Sequence, residues 1–110
     1  MPTIDDFDAL DLRVGTVLEA SPFPEARKPA LRLLIDFGSE VGQLYSSAQL
    51  TRRYTPDALV GRRVVAVVNF PPRRIAGFMS QVLVLGAIPT EGDVVLLMPD
   101  QPVPNGSRIG

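Results

Sequence analysis

Leu12, Val14, Thr16 and Leu18 alternate with Arg13, Gly15, Val17 and Glu19, the period-two pattern of a half-buried strand. Leu31, Leu33, Ile35 and Phe37 alternate with Arg32, Leu34 and Asp36 in a second strand. Between the two, Pro22, Pro24 and Pro29 forbid regular pairing, so residues 22–29 form a loop carrying Glu25, Arg27 and Lys28. Gly42 to Gln49 reads as a third, more polar strand. Arg62 to Phe70 and Phe78 to Ile88 are strands four and five, apolar on both faces at their centres and therefore central. Val94 to Met98 makes a last short strand.

The helical signals are weaker. Thr3 caps a short helix reaching Leu10, with Asp6 at the capping-box position and Asp5 in the first turn, where acids suit the helix dipole. Ile4, Phe7 and Leu10 fall on one face of it. Thr51 to Tyr54 suits a helical turn between strands three and four, before a break at Pro56-Asp57. The tail Pro99-Asp-Gln-Pro-Val-Pro-Asn-Gly106 is too rich in proline for a helix or central strand, and is expected to run extended across the molecule or onto a second subunit.

Short strands punctuated by 11 prolines and 9 glycines indicate an all-β barrel or sandwich. Five main strands, with a short N-terminal helix and a short helix between the third and fourth, match the order of a five-stranded oligonucleotide-binding (OB) barrel. Its 110 residues suit a single domain over residues 1–110 with a modest core, one that gains from a partner. No apolar run approaches a membrane span, so membrane insertion is not expected. No basic region precedes an apolar stretch at the N-terminus, so a cytoplasmic location is the expectation.

Composition narrows the chemistry. With no cysteine there is no disulfide, thiolate or cysteine-ligated metal; with no histidine the commonest general base and metal ligand are missing. Lys28 is the only lysine, and neither phosphate-cradling glycine motif occurs. The Asp5, Asp6, Asp8 cluster fits no EF-hand spacing and serves the helix end. Neither catalytic residues, a metal nor a cofactor are expected. The net charge is −1, yet positive charge comes in pairs: Arg27-Lys28, Arg52-Arg53, Arg62-Arg63 and Arg73-Arg74. Such pairs form either a basic face or ordinary solvated surface.

Most of the chemistry gathers in Asn69-Phe-Pro-Pro-Arg-Arg-Ile-Ala-Gly-Phe-Met-Ser-Gln81. Prolines stiffen this stretch, and Gly77 permits a backbone that other residues resist. Two guanidinium groups on a rigid loop suit carbonyls, carboxylates or phosphates. Ser46, Ser47 and Gln49 on strand three add small donors; Tyr45, Phe70 and Phe78 are the nearby aromatics. Phe7, Leu10, Leu34, Met79 and Val82 are candidates for apolar positions beyond what a small barrel buries, and Met79 and Met98 suit an adaptable surface.

Asn69, Pro72, Gly77 and Ser80-Gln81 sit at the spacing seen in the tRNA-binding domain family, which has an OB fold and includes the domain appended to some methionyl-tRNA synthetases. The resemblance extends through Leu10-Asp-Leu-Arg-Val-Gly-Thr16, Phe23-Pro-Glu-Ala-Arg27, Asp36-Phe-Gly38, Ser46-Ser-Ala-Gln49 and Val103-Pro-Asn-Gly106. Within the family the chain is more similar to the stand-alone, export-related chaperones of CsaA type. RNA-binding members usually follow Ser-Gln with Gly-Met, where this chain has Val82-Leu83.

The resemblance implies a homodimeric, non-enzymatic chaperone for unfolded or precursor polypeptides in protein secretion; tRNA or structured RNA bound by the basic loop is the alternative. It carries RNA or peptide contact onto Ser46, Ser47, Gln49, Asn69, Pro72, Arg73, Arg74, Gly77, Phe78, Ser80 and Gln81. It also implies dimerisation through the chain ends, with Ile4, Phe7 and Leu10 at one end and Val103 and Ile109 at the other.

Overall fold

The computed structural model describes all of residues 1–110. In chain order the elements are α1 (Ile4–Asp8), β1 (Leu12–Pro22), β2 (Leu31–Asp36), α2 (Gly38–Val41), β3 (Gln43–Ala48), α3 (Pro56–Leu59), β4 (Arg63–Val67), β5 (Arg73–Ile75), β6 (Phe78–Ser80), β7 (Leu83–Val84), β8 (Gly86–Thr90) and β9 (Asp93–Leu96). An antiparallel sheet runs β3-β2-β1-β4-β7, and β5-β6 and β8-β9 form separate hairpins. The sheet curls into a nearly closed OB-type barrel, as the strand order predicts.

Long β1 serves both halves of the barrel. Its first part pairs with β4 from Leu12 opposite Val67 to Thr16 opposite Arg63. Its second part pairs with β2 from Thr16 opposite Asp36 to Pro22 opposite Leu31, with a bulge between Val17 and Glu19. Leu33, Ile35, Phe37, Leu50, Leu59, Val64, Ala66 and Val82 fill the interior with Val17. Gly15 faces this interior too: a Cβ there would lie 2.6 Å from Ile35 and 2.7 Å from Phe37, so glycine admits the Phe37 ring.

The start of β1 is therefore covered on both faces, where a half-buried strand was expected. Leu12 and Val14 point outward with Val65 and Val67, forming a second apolar cluster under Leu10, Leu85 and Ile109. The tail covers this face. The Gly106 amide donates to Val14 O at 2.7 Å, Val14 N to Ser107 O at 2.9 Å and Ile109 N to Leu12 O at 3.0 Å. The tail thus runs extended along the part of β1 that β2 leaves free. Arg13 anchors it by donating to Gly106 O at 3.0 Å, while its Nε donates to Asp11 at 2.6 Å. The hydrogen bond to Asp11 raises the Arg13 pKa above the usual arginine value, against the opposing effect of burial.

Several local expectations need correction. Thr51 to Arg53 is only a turn, and the helix before β4 starts at Pro56, which occupies its first turn instead of breaking it. A short helix, Gly38–Val41, which the sequence reading did not anticipate, joins β2 to β3, and β3 itself, Gln43–Ala48, lies within the expected Gly42 to Gln49. The fourth strand stops at Val67, and the single fifth strand is divided into β6, β7 and the start of β8. Val82 is a core residue, not surplus apolar surface. The capping box at Thr3 and Asp6 forms as expected, but no residue of α1 is buried and Ile4 is 71% exposed.

Candidate ligand groove on the barrel face

Asn69-Phe-Pro-Pro leads into a tight hairpin, where Arg73, Arg74 and Ile75 pair with Ser80, Met79 and Phe78. Ala76 and Gly77 form its two-residue turn with φ of 47° and 81°. Positive φ at both positions is the geometry that matches the twist of paired strands. Strand alternation sends the two arginines to opposite faces: Arg73 lies on the side of Ile75, Phe78 and Ser80, and Arg74 on that of Met79.

Ser80 and Gln81 close the barrel against the free edge of β3. Ser47 N donates to Ser80 Oγ at 2.9 Å, Gln81 N donates to Tyr45 O at 2.8 Å, and Tyr45 N donates to the Gln81 side-chain oxygen at 2.9 Å. Buried Ser46 donates its hydroxyl toward Val82 O at 3.2 Å. Where the main chain drifts from strand register, side-chain oxygens take over the ladder and satisfy amides that would otherwise be orphaned. Asn69 is similarly engaged, accepting from Asp11 N and donating to Ala9 O, each at 2.9 Å. It fastens the end of α1 to the end of β4.

Of the residues singled out in the sequence, then, Ser46, Asn69, Ser80 and Gln81 hold the framework with their side chains. Ser47 is half-buried on the outer face of β3. Gln49, Pro72, Arg73, Arg74 and Gly77 are exposed, and Phe78 is half-buried. At the chain ends Ile4, Phe7 and Val103 face solvent, whereas Leu10 and Ile109 pack on the outer apolar cluster.

The closure sets Phe78 beside β3 and creates a groove. Glu19, Ala20 and Ser21 of β1, Arg32, Leu33 and Leu34 of β2, Tyr45 of β3 and Phe78 line a hollow of about 220 Å³. Cross-strand register builds it in rows, with Ser21 and Ser47 flanking Arg32 and with Glu19 and Tyr45 flanking Leu34. The Phe78 ring meets Tyr45 edge-on at 5.7 Å and Phe23 at 5.3 Å between centroids. The Arg32 guanidinium lies 5.4 Å from the Phe23 ring centre. Sequence reading picked out Tyr45 and Phe78 but missed Arg32, Glu19 and Phe23. The alternation of Arg32 and Leu34 with buried Leu31, Leu33 and Ile35 signals an outward face; Phe23 in a proline-rich loop gives no such signal.

The remaining basic pairs are partly structural. Arg53 grips Asp93 through two hydrogen bonds of 2.5 and 2.9 Å, which pull the Asp93 carboxyl below the usual range and raise Arg53. Arg62 stacks over the Tyr54 ring at 5.2 Å. No group of three potential metal-ligating side chains occurs.

Comparison with known proteins agrees with this architecture. The family model described as "Putative tRNA binding domain" matches residues 12–108. A crystal structure of the chaperone CsaA from Bacillus anthracis is 59% identical, with a TM-score of 0.95 over 100% of this chain and 99% of that one. CsaA chaperone from Picrophilus torridus is 49% identical, with a TM-score of 0.92 and 100% of both chains covered. Methionine–tRNA ligase of Clostridium perfringens is 40% identical over 107 residues, which are 97% of this chain but 16% of the ligase. The chain thus spans only a small part of the ligases it matches, their tRNA-binding domain. It belongs to the tRNA-binding domain family, and within that family it is of CsaA type.

Proposed function

We propose that this protein is a homodimeric cytoplasmic chaperone that holds unfolded or export-bound polypeptide segments, without catalysis or a cofactor. The observation that carries this reading is the lining of the groove. Its outward side chains Leu34, Tyr45 and Phe78 are apolar and aromatic, and one of its charged residues is an acid. A peptide offers side chains and backbone groups to such a surface, whereas a polyphosphate backbone gains most from cations. The two CsaA chaperone structures, which match the whole chain, support the same reading. Holding needs no chemical step: a protein that binds unfolded chains keeps them from associating by mass action.

Light scattering from a heat-denatured client tests it. Equimolar protein is expected to suppress aggregation, with no effect of ATP and little loss at raised salt, because apolar contact is not screened as charge pairing is. No protection at equimolar ratio, together with tight and salt-sensitive tRNA binding, would reverse the assignment.

RNA binding is the second reading, favoured by the family match and by the position of Tyr45 and Arg32 on the strand two–three face that OB folds use for oligonucleotides. Arg73, beside Phe78, borders the same face. Titration with bulk tRNA, run beside the client assay, separates the two.

A further inference from the structure

The bulge in β1 has a chemical consequence. Val17 opposite Ile35 and Ala20 opposite Leu33 both face the interior, although they are three residues apart and strand alternation would oppose them. Leu18 is the extra residue that resets the alternation. Without it Glu19 would follow Gly15 and Val17 inward; with it Glu19 stands opposite Leu34 on the outer face. Bulges commonly re-aim a side chain in this way beside binding sites.

The carboxylate so placed makes no salt bridge within 4.0 Å, although Arg32 lines the same hollow. Arg32 instead lies over the Phe23 ring. Glu19 is therefore an exposed acid next to Leu34, in the hollow that Tyr45 and Phe78 also line, with no cation of its own chain paired to it.

Resting on the chaperone reading, we infer that the groove selects client segments bearing a lysine or arginine within an apolar stretch. Glu19 is the residue that reads the positive charge. The aliphatic stem of such a side chain would lie on Leu34, and its cationic head would meet the Glu19 carboxylate and an aromatic ring. The volume of about 220 Å³ lies below that of small-molecule pockets and fits one or two side chains. The same carboxylate repels phosphate, so Glu19 also turns the groove away from RNA.

The test uses the full chain and fluorescent ten-residue peptides of alanine and leucine carrying one central lysine, norleucine or glutamate. Norleucine preserves most of the lysine stem without the charge. The lysine peptide is expected to bind at least threefold more tightly than the norleucine peptide, on the scale of an exposed ion pair aided by a ring. Glu19→Gln should abolish that preference, and Glu19→Lys should transfer it to the glutamate peptide. Tight norleucine binding with no lysine preference, or a preference that survives Glu19→Gln, overturns the inference while leaving the chaperone reading intact. Failure of all three peptides overturns both. If Glu19→Gln strengthens tRNA binding while all three peptides stay silent, the face belongs to RNA.

Discussion

Asp93 shows how much a single side chain carries. It is buried, and its bidentate contact with Arg53 ties the β8–β9 hairpin to the turn after β3, aided by Leu96 N donating to the Tyr54 hydroxyl at 3.1 Å. Because the folded-state pKa of Asp93 is depressed, the pair stabilises the fold fully above the ordinary carboxylate value of about 4 and loses that contribution as pH falls through the folded value. Denaturant melts of the parent should therefore weaken below about pH 4. Asp93→Asn should be less stable at neutral pH and flatter across the acid range. Arg73 and Arg74 make a second contrast at this scale. If tRNA binds, Arg73→Ala should weaken it and lower the log–log salt slope by about 0.7 to 0.9, the share of one phosphate contact. Arg74→Ala, on the opposite face of the hairpin, should leave the slope near the parent value.

At the scale of elements, the hairpin and the barrel seam are the sensitive places. Ala76 holds φ of 47° at a turn position that favours asparagine or glycine. Left-handed backbone costs a non-glycine residue about 1 kcal/mol, so Ala76→Asn is expected to stabilise the protein by about 0.5 kcal/mol, read from denaturant midpoints. Gly77→Ala should do the reverse by about 1 kcal/mol, although a Cβ there would touch nothing within 4 Å. The seam depends on Gln81 accepting from Tyr45 N. Gln81→Ala should cost about 1 kcal/mol and speed hydrogen exchange at the Tyr45 amide.

For the molecule as a whole, the chain ends are the proposed meeting surface. The tail folds back over the outer cluster of Leu12, Val14, Val65 and Val67, yet Ile4, Phe7 and Val103 stay exposed. Association with a second copy through these ends, as proposed, would bury on the order of 1,600 Å² in total. Sedimentation of the intact chain at micromolar concentration is expected to give a dimer, and removal of residues 1–10 to shift it toward monomer. A monomeric parent would remove the dimer from the proposal.

The strand pattern of this chain is decided locally. Alternation in Leu31–Phe37, the apolar run of Val64–Val68, and the proline and glycine punctuation place the strand-forming segments in order along the chain because each is a local feature, but they do not show that the fifth segment divides into β6, β7 and the start of β8 or that Arg73–Ile75 forms β5. The capping box at Thr3 is local for the same reason. Facing, breaks and site membership are not. Which side of β1 lies inside depends on Gly15 making room for Phe37, and where Glu19 points depends on a bulge that no run of residue types announces. Ser80-Gln81 is conspicuous in the sequence, but its use as a seam exists only once β3 brings its unpaired amides alongside. Proximity across the chain supplies these partners, and an unsatisfied polar group then takes whichever partner the fold puts within reach.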